Sequence, residues 1–427
     1  MLGATFRAWF PAAASAAIAA TVALGALARA GGDHLGAPLA PFFATLRPRA
    51  GALALPVAAL LGGGALVAPR LRARSLSPPA FAALAFALAL TLRLALAAAT
   101  GGAHSWWSVF AGDSEAQREY LPALPALSVG LHAFLDRFAE VAPSLPTHPS
   151  GHPPGLLVAL HLLRIDTARG LAAFAIGTGA LAAPLTYALG RSLLSEESAR
   201  TAALLFVFAP SSLLYGATSA DALYATLGVA AAAALLARRR LLGVLGPPAL
   251  AVASFFSAAL LGAGLWAVLV LGSRGQLRRA ATTAAAVALC VAGLYAALYA
   301  ATGFDPVGTL HSLDAAYRIG IAGARPYAFW VVGSPAAFLV ALGLPVAWLA
   351  LRAIAARDAA ATALAAVVVA SALLGFTKAE TERIWLFLVP FACIAAARVL
   401  DRRRLGPVLL ALAAQALAVQ LLLFTIW

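Results

Sequence analysis

The stretch that decides the fold is the apolar run at residues 79–100, PAFAALAFALALTLRLALAAAT, in which Arg93 is the one charged residue. A helix of about 20 apolar residues is long enough to cross a lipid bilayer. Comparable runs recur along a chain of 427 residues that is 63% hydrophobic and 11% charged. This composition excludes a soluble domain and predicts an all-α polytopic transmembrane protein.

The sequence predicts about thirteen membrane spans, several of them short. Residues 154–165 are apolar but too short to cross, so we expect an amphipathic segment at the outer interface. Residues 9–30 are interpreted as an uncleaved first span, although the Ala-Arg-Ala that ends at Ala30 also resembles a signal-peptidase site. The predicted spans are residues 9–30, 51–69, 79–100, 168–190, 201–216, 218–237, 242–254, 257–272, 280–301, 327–350, 359–375, 384–399 and 406–427.

The net charge of +14 comes from arginines that cluster in short turns between apolar runs. This pattern follows the positive-inside rule, so we expect membrane lipids and no nucleic acid as partners. Alternating spans place most of these clusters on the cytoplasmic side. The abundant alanine and the single lysine suggest a GC-rich bacterial genome, and hence a bacterial cytoplasmic membrane.

The histidines and carboxylates have the opposite distribution, since most of the sixteen acidic residues and all seven histidines lie on or beside the predicted outer face. The positive-inside rule makes no demand on histidine, so this concentration predicts an extracytoplasmic functional site. The alternative is a set of solvated polar loops. Cys290 and Cys393 lie inside apolar runs and are interpreted as core residues, not as a disulfide or a metal pair. The seven histidines are His34, His104, His132, His148, His152, His161 and His311.

The longest interval without a membrane-length apolar run is Thr100–Gly155, and it begins with the motif Gly-Asp-Ser-Glu at residues 112–115. Asp113 and Glu115 would hang just above the bilayer. Carboxylates there can accept a proton from an attacking hydroxyl or hold a divalent cation. The alternative is a solvated start to the loop, and no cofactor is certain.

The same interval ends in Thr-His-Pro-Ser-Gly-His-Pro-Pro-Gly at residues 147–155. His148 and His152 are four residues apart, which suits zinc only on a helix, and the prolines disfavour a helix. We therefore predict contact with substrate or phosphate and no metal site. A turn that merely positions the next helix is the alternative.

Two later loops complete the candidate set. Asp221 lies where two consecutive spans meet at the outer surface, a depth at which a carboxylate needs a polar cavity or a partner; otherwise it caps a helix. In the last outer loop, Lys378 and Arg383 suit a lipid-linked phosphate, and Glu382 stands beside them. A salt-bridged turn is the alternative there.

The order of these motifs resembles the membrane-embedded glycosyltransferases of the C superfamily, in particular protein O-mannosyltransferases, lipid A aminoarabinose transferases and related bacterial sugar transferases. The matching segments are GDSEAQREY from Gly112 to Tyr120, HPPGLL from His152, PSSLLYGATSADAL from Pro210 to Leu223, and ERIWLFLVP from Glu382 to Pro390. The sequence departs from the family pattern at Ser114 and after Arg383. A predicted transmembrane hairpin at residues 1–78, which precedes the first family span, is a third departure. The resemblance implies a catalytic core at residues 79–400 with a long outer first loop and juxtamembrane helices, and we expect a last transmembrane helix at residues 401–427.

The resemblance implies transfer of a sugar from a polyprenyl-phosphate donor to a lipid, glycan or protein acceptor, with inversion at the anomeric carbon. Asp113 would be the general base, with Glu115 as second choice. A transporter or flippase with Asp221 and Arg93 along its pathway is the first alternative. A non-catalytic scaffold, which would tolerate substitution of Asp113, His152 and Arg383, is the second.

Overall fold

The computed structural model describes residues 2–33, 35–112 and 114–426, and 79% of the chain is helical. The first eleven α-helices are α1 (Leu2–Ala30), α2 (Ala54–Ala73), α3 (Pro78–Gly101), α4 (Ser105–Ala111), α5 (Leu131–Asp136), α6 (Phe138–Val141), α7 (Gly155–Leu162), α8 (Ala168–Ala180), α9 (Ala182–Leu193), α10 (Glu196–Phe208) and α11 (Pro210–Tyr215). The others are α12 (Asp221–Leu235), α13 (Arg240–Phe256), α14 (Leu261–Ser273), α15 (Leu277–Thr302), α16 (Pro306–Ile319), α17 (Tyr327–Ala341), α18 (Leu344–Ala355), α19 (Ala359–Leu374), α20 (Thr381–Ile384), α21 (Val389–Val399) and α22 (Leu405–Leu422).

Short 3₁₀ helices occupy most of the connections. They are Gly102–His104, Ala116–Arg118, Leu121–Val129, Ala142–Ser144, Pro149–Gly151, Ala258–Leu260, Ile321–Ala324, Trp385–Leu388 and Arg402–Arg404. Two three-residue strands, β1 (Ala44–Leu46) and β2 (Leu423–Thr425), form an antiparallel pair in which Ala44 faces Thr425. This pair joins the predicted N-terminal hairpin to the predicted C-terminal segment, which the sequence did not indicate.

Within the described residues, six helical stretches are long and apolar enough to cross a membrane, or seven if one bent pair counts as a span. The predicted class, an all-α protein with several membrane-length helices, is therefore confirmed. The number thirteen stays a prediction, because several predicted spans correspond to helices of 10–17 residues. The six stretches are Trp9–Ala30, Ala54–Ala73, Pro78–Arg118, Ala168–Leu193, Leu277–Thr302 and Arg402–Leu422.

The bent pair corrects one predicted span. Residues 327–350 were expected to form one helix, but α17 and α18 meet at an angle of 116°. Gly343, between them, has a φ of +101°, and a Cβ there would lie 2.2 Å from Leu412 Cδ2. Only glycine adopts that conformation in so tight a space, and Pro345 then starts the second helix. The predicted span is therefore two helices joined by a bend, and its passage across the membrane stays a prediction.

One end of the bundle carries the arginine-rich turns at residues 70–77, 191–200, 236–240, 273–279, 352–358 and 398–404; we call it the arginine end. Hydrogen bonds and ion pairs join these turns to one another. Arg200 donates to the carbonyl of Leu76 at 2.6 Å, Arg274 donates to the carbonyl of Leu193 at 3.2 Å, and Arg402 pairs with Glu197 at 2.8 Å. The turns therefore lie together, as a chain that alternates between two faces requires.

The connections at residues 31–50, 102–167, 216–220, 303–326 and 375–381 meet at the other end, which we call the loop end. The Nε1 of Trp330 at the start of α17 donates to the carbonyl of Leu35, and the backbone N–H of Phe43 donates to Glu382. The described candidate site residues therefore lie at the end opposite to the arginine clusters.

Candidate active site

The candidate active site is built from connections of the loop end. Glu115 precedes the 3₁₀ helix Ala116–Arg118, and the backbone N–H of His148 donates to the carbonyl of Arg118 at 2.9 Å. This bond fastens the His-Pro-Ser-Gly-His segment onto the acidic turn. At the end of the segment, a Cβ on Gly155 would lie 2.4 Å from the carbonyl oxygen of Phe255. Glycine is needed for α7 to approach α13 this closely, which fixes the position of the segment.

Glu115, Glu119 and His148 form a compact buried group. The Nε2 of His148 lies 2.8 Å from Glu115 Oε1 and 3.8 Å from Glu119 Oε1. Arg118 Nη1 lies 3.6 Å from the second oxygen of Glu115, and the Arg118 side chain is about half exposed, at 47%. The group is therefore buried but connects to the surface through one cation.

Burial and mutual charge set the protonation of this group. Burial raises the pKa of Glu119, more than the nearby His148 and Arg383 lower it. Burial lowers the pKa of His148, but Glu119 and the bond from Glu115 outweigh it, so the net pKa is raised. His148 and Glu119 therefore each hold a proton more tightly than the same group does in water.

The three side chains also fit a divalent cation. One ligand atom from each lies within 4.8 Å of the others, and Glu119 Oε2 has no hydrogen-bond partner among the described residues. Two carboxylates and an imidazole are ligands that zinc or manganese accepts. From the sequence, Asp113 and Glu115 were considered able to hold a divalent ion, and no metal was assigned to the histidines. The structure brings His148 to the acidic motif instead.

The second half of the site is an ion-pair network around Arg383. Its Nη1 contacts Asp221 and its Nη2 lies 3.0 Å from Glu380, whose other oxygen lies 2.7 Å from Arg325. Ser219 Oγ donates to Asp221 at 2.5 Å. All five side chains are buried or nearly so, and each charge has an opposite charge beside it. Buried charges need this pairing because removal from water is costly.

The loop that carries Arg383 is held in an unusual backbone shape. Ala379 and Glu380 have φ values of +66° and +60°, a region that residues other than glycine rarely adopt. The Nη1 of Arg325 donates to the carbonyl of Lys378, just before them. Such strain persists where the surroundings impose it, which is common at functional sites.

His152 connects the two halves. Its ring packs on Tyr224 with centroids 5.1 Å apart, and the hydroxyl of Tyr224 lies 2.6 Å from that of Tyr120. Burial, only partly offset by Asp221, lowers the pKa of His152 to about 4, so it is a neutral imidazole at pH 7. We call the whole assembly the buried charged cluster; it contains Glu115, Glu119, His148, His152, Ser219, Asp221, Arg325, Glu380 and Arg383.

The structure gathers five of the eight predicted site residues in this cluster: Glu115, His148, His152, Asp221 and Arg383. Asp113, the first choice for the base, lies outside the described residues. The other two have different partners. Lys378 Nζ donates to the carbonyls of Ala322 and Arg325, each at 2.9 Å, and Glu382 Oε1 accepts from the backbone N–H of Phe43 at 2.7 Å.

The expectation that Lys378 and Arg383 bind a lipid-linked phosphate stays a prediction, and in the structure both side chains have partners within the protein. Arg383 is engaged by two carboxylates, Asp221 and Glu380, and Lys378 contacts backbone carbonyls. The Arg383 pairing corresponds to the salt-bridged alternative, although its partner within the loop is Glu380 and not Glu382. Burial favours this outcome, because an unpaired guanidinium would be strongly destabilising there.

Sequence reasoning missed Glu119, Ser219, Arg325 and Glu380. Glu119 stands four residues after Glu115, a spacing that places two side chains on the same face of a helix. The sequence therefore contained a signal for Glu119. Arg325 pairs with Glu380 across 55 positions of the chain, and nothing in one sequence announces such a pair.

Comparisons of the chain with protein-family models, with curated proteins and with solved structures found no significant match. The chemistry of the site is therefore argued from its geometry. A carboxylate and an imidazole within hydrogen-bond distance, with a second carboxyl that readily holds a proton, can accept and pass on a proton. A paired arginine beside them supplies a fixed positive charge.

Proposed function

We propose that the protein is an integral-membrane glycosyltransferase that moves a sugar from a polyprenyl-phosphate donor to an acceptor hydroxyl. The observation that supports this most is the buried Glu115–His148 pair, 2.8 Å apart and in one cluster with Arg383. Displacement at a sugar carbon needs a proton acceptor for the attacking hydroxyl and positive charge for the departing phosphate. Both kinds of group stand at one end of a bundle of membrane-length helices.

The reaction we propose is a single displacement. The acceptor hydroxyl gives its proton to a carboxylate, and its oxygen forms a bond to the anomeric carbon. The bond from that carbon to the phosphate oxygen breaks, and its electron pair leaves with the polyprenyl phosphate, so the anomeric centre inverts. The resemblance favours Asp113 as the base. Among the described residues, Glu115 is the better placed carboxylate, because His148 orients it and Arg118 links it to the surface.

The departing phosphate needs a cation. Arg383 is held by Asp221 and Glu380, so it offers a fixed charge and not a free fork of donors. Arg118 is half exposed and can move toward a ligand. Lys378 and Glu382 keep their predicted role in binding the donor as part of this proposal. Glu382 contacts the segment of residues 35–43 through the backbone N–H of Phe43. A lipid, a glycan or a protein would serve as acceptor.

The proposal includes an orientation. The loop end would face the extracytoplasmic side of a bacterial cytoplasmic membrane, because the arginine end has the charge that the positive-inside rule keeps in the cytoplasm. The shorter helices α10, α12, α13, α14, α19 and α21 would cross as well. Together with the six long stretches and the bent pair they give the thirteen passages of the sequence pattern. The grouping of all arginine-rich turns at one end supports this path.

The transport hypothesis assigned Asp221 and Arg93 to one pathway. In the structure Asp221 pairs with Arg383, whereas Arg93 donates to Ser212 Oγ at 2.8 Å and lies over the ring of Phe206. Their partners differ, and no contact of the described residues favours a route between them. Glycosyl transfer accounts better for charges that concentrate at one end.

The first test measures lipid-linked sugars by mass spectrometry in a strain that lacks the gene. We expect one polyprenyl-phosphate sugar to accumulate and to be consumed again when the parent protein is restored. At equal expression, Asp113→Asn or Glu115→Gln should lower consumption by about 10²–10⁴-fold, the usual contribution of a general base. Glu140→Gln is the matched control, because Glu140 is an exposed carboxylate of the same interval.

Normal consumption by both acidic variants would refute the catalytic assignment. The transport hypothesis replaces this proposal if two results are found together. The deletion strain accumulates no lipid-linked sugar, and the purified parent protein moves a solute across the membrane of proteoliposomes.

A further inference from the structure

A cavity of about 290 Å³ opens at the arginine end, between the C-terminal ends of α9, α12 and α14 and the start of α15. Three arginines line it, Arg238, Arg274 and Arg279. Its other walls are mostly apolar and include Leu193, Leu236 and Val270. The cavity therefore combines strong positive charge with an apolar base, at the end opposite to the buried charged cluster.

No carboxylate neutralises these arginines directly. Among the described residues, no Asp or Glu oxygen lies within 4.0 Å of their guanidinium nitrogens. Two other cavities at this end also contain arginines, but Asp401 lines one and Glu197 lines the other. The three-arginine cavity is thus the one with uncompensated charge among the three.

The hydrogen bonds of these arginines leave donors available. Arg274 Nη2 donates to the carbonyl of Leu193 at 3.2 Å, and Arg279 Nη2 donates to that of Ala237 at 3.1 Å. These carbonyls lie at or just beyond the ends of α9 and α12, where the helix dipole favours a cation. Arg238 is exposed at the rim. Partial burial and the charges of Arg398 and Arg238 lower the pKa of Arg274, and the charge of Asp358 offsets part of this lowering.

We propose that this cavity binds the phosphate headgroup of an anionic phospholipid. Basic pockets between membrane helices suit such headgroups, and the guanidinium fork matches phosphate oxygens. The acyl chains have a surface to follow, because α15 begins beside the cavity and exposes Leu277 and Leu289 to about 70%. This inference does not depend on the proposed glycosyl transfer, since it concerns a site at the other end of the protein.

The test is a titration of the purified full chain in neutral detergent, with bound lipid counted by native mass spectrometry. Phosphatidylglycerol is the probe, and phosphatidylcholine, a zwitterion with no net charge, is the comparison. An arginine near a membrane surface contributes about 1 kcal/mol to binding an anionic lipid, which corresponds to about fivefold. We therefore expect Arg238→Gln/Arg274→Gln to weaken phosphatidylglycerol binding by about 25-fold.

The matched control is Arg352→Gln/Arg404→Gln, which removes the same charge from the cavity that Asp401 lines. It should retain phosphatidylglycerol binding within about twofold. Arg238→Lys/Arg274→Lys keeps the charge and should restore part of the affinity. The thermal midpoint without lipid checks that each variant folds.

Three results would overturn the proposal. Equal losses in the two glutamine variants would show a general attraction of the arginine end. Equal binding of phosphatidylcholine would show that the cavity does not recognise the net negative charge of the lipid. Competition by glycerol phosphate at the same concentration as the lipid would identify a site for soluble phosphate compounds.

Discussion

The two ends of this molecule use arginine in different ways. At the arginine end, side chains such as Arg274 and Arg279 donate to backbone carbonyls near helix ends, and Arg402 forms an ion pair that is largely exposed. At the loop end, Arg325 and Arg383 are buried and are each held by carboxylate side chains.

The difference lies in desolvation. An exposed arginine that sets membrane orientation keeps its water and contributes little to folding. Buried charges cost several kcal/mol each to desolvate, and their attraction rarely stabilises a fold more than apolar residues would. Such a cluster is therefore more informative about function than the larger number of arginines at the opposite end.

The largest effect is expected from removing the central cation of the loop end. Arg383→Ala leaves Asp221 buried without its guanidinium and Glu380 with one cation instead of two. Breaking a buried pair typically costs about 3–5 kcal/mol. Arg402→Ala at the arginine end should cost less than about 1 kcal/mol.

Denaturant or thermal unfolding in detergent compares the two variants, and Arg383→Lys should recover only part of the loss, since the fork is missing. If both alanine variants lose the same free energy of unfolding, burial of the charged cluster does not make Arg383 more important for stability than Arg402. The proposed difference between the two ends would then be wrong.

A smaller, pH-dependent effect is expected at Glu382, which lies beside the buried charged cluster. Burial, more than any other influence, raises its pKa to about 7 from an ordinary value near 4.5. The folded state then binds this proton more tightly than the unfolded state. The contribution of Glu382 to the free energy of unfolding is therefore largest below about pH 4.5. It falls by up to about 3 kcal/mol as the pH rises to about 7.

Glu382→Gln removes this titration and can still accept the bond from the Phe43 N–H. The thermal midpoint of the variant should change less between pH 5 and pH 8 than that of the parent. Glu140→Gln should preserve the parental pH profile. A Glu382→Gln profile that matches the parent would mean that the carboxyl is solvated.

The smallest effect is expected at an exposed pair of the loop end. Arg137 lies 3.0 Å from Glu140, and both side chains are more than 60% exposed. Arg137→Ala should change the free energy of unfolding by less than about 1 kcal/mol, like Arg402→Ala at the other end. This comparison separates burial from location, because a large loss at Arg137 would show that position in the loop end, and not burial, determines the cost.

The sequence predicted the class and much of the site for identifiable reasons. Apolar runs of membrane length gave the helices, and the acidic and histidine residues of residues 100–155 pointed to the loop end. The motifs along the chain singled out Glu115, His148, Asp221 and Arg383. The fold brings these four residues into one cluster.

The remaining features needed three dimensions. The Arg325–Glu380 pair joins distant loops, and the β1–β2 pair joins strands too short to have a recognisable pattern. The bend between α17 and α18 had a signal, Gly343 followed closely by Pro345, but the surrounding apolar residues concealed it. The contacts of Lys378 had no signal, because a backbone carbonyl can satisfy an ammonium group as well as a phosphate can, and carbonyls have no sequence signature.

The unequal lengths of α12 and α15 have a consequence for bilayer thickness. At about 1.5 Å per residue, the 15 residues of α12 extend about 22 Å and the 26 residues of α15 about 39 Å, whereas a hydrocarbon core measures about 30 Å. Most of α12 is buried in protein, whereas Ala280 is the one fully buried residue of α15 and most of the others are exposed. Only the exposed helix must match the lipid. The buried one can end well below the headgroups, so Asp221 at its first residue can lie deeper in the protein than the ends of α15.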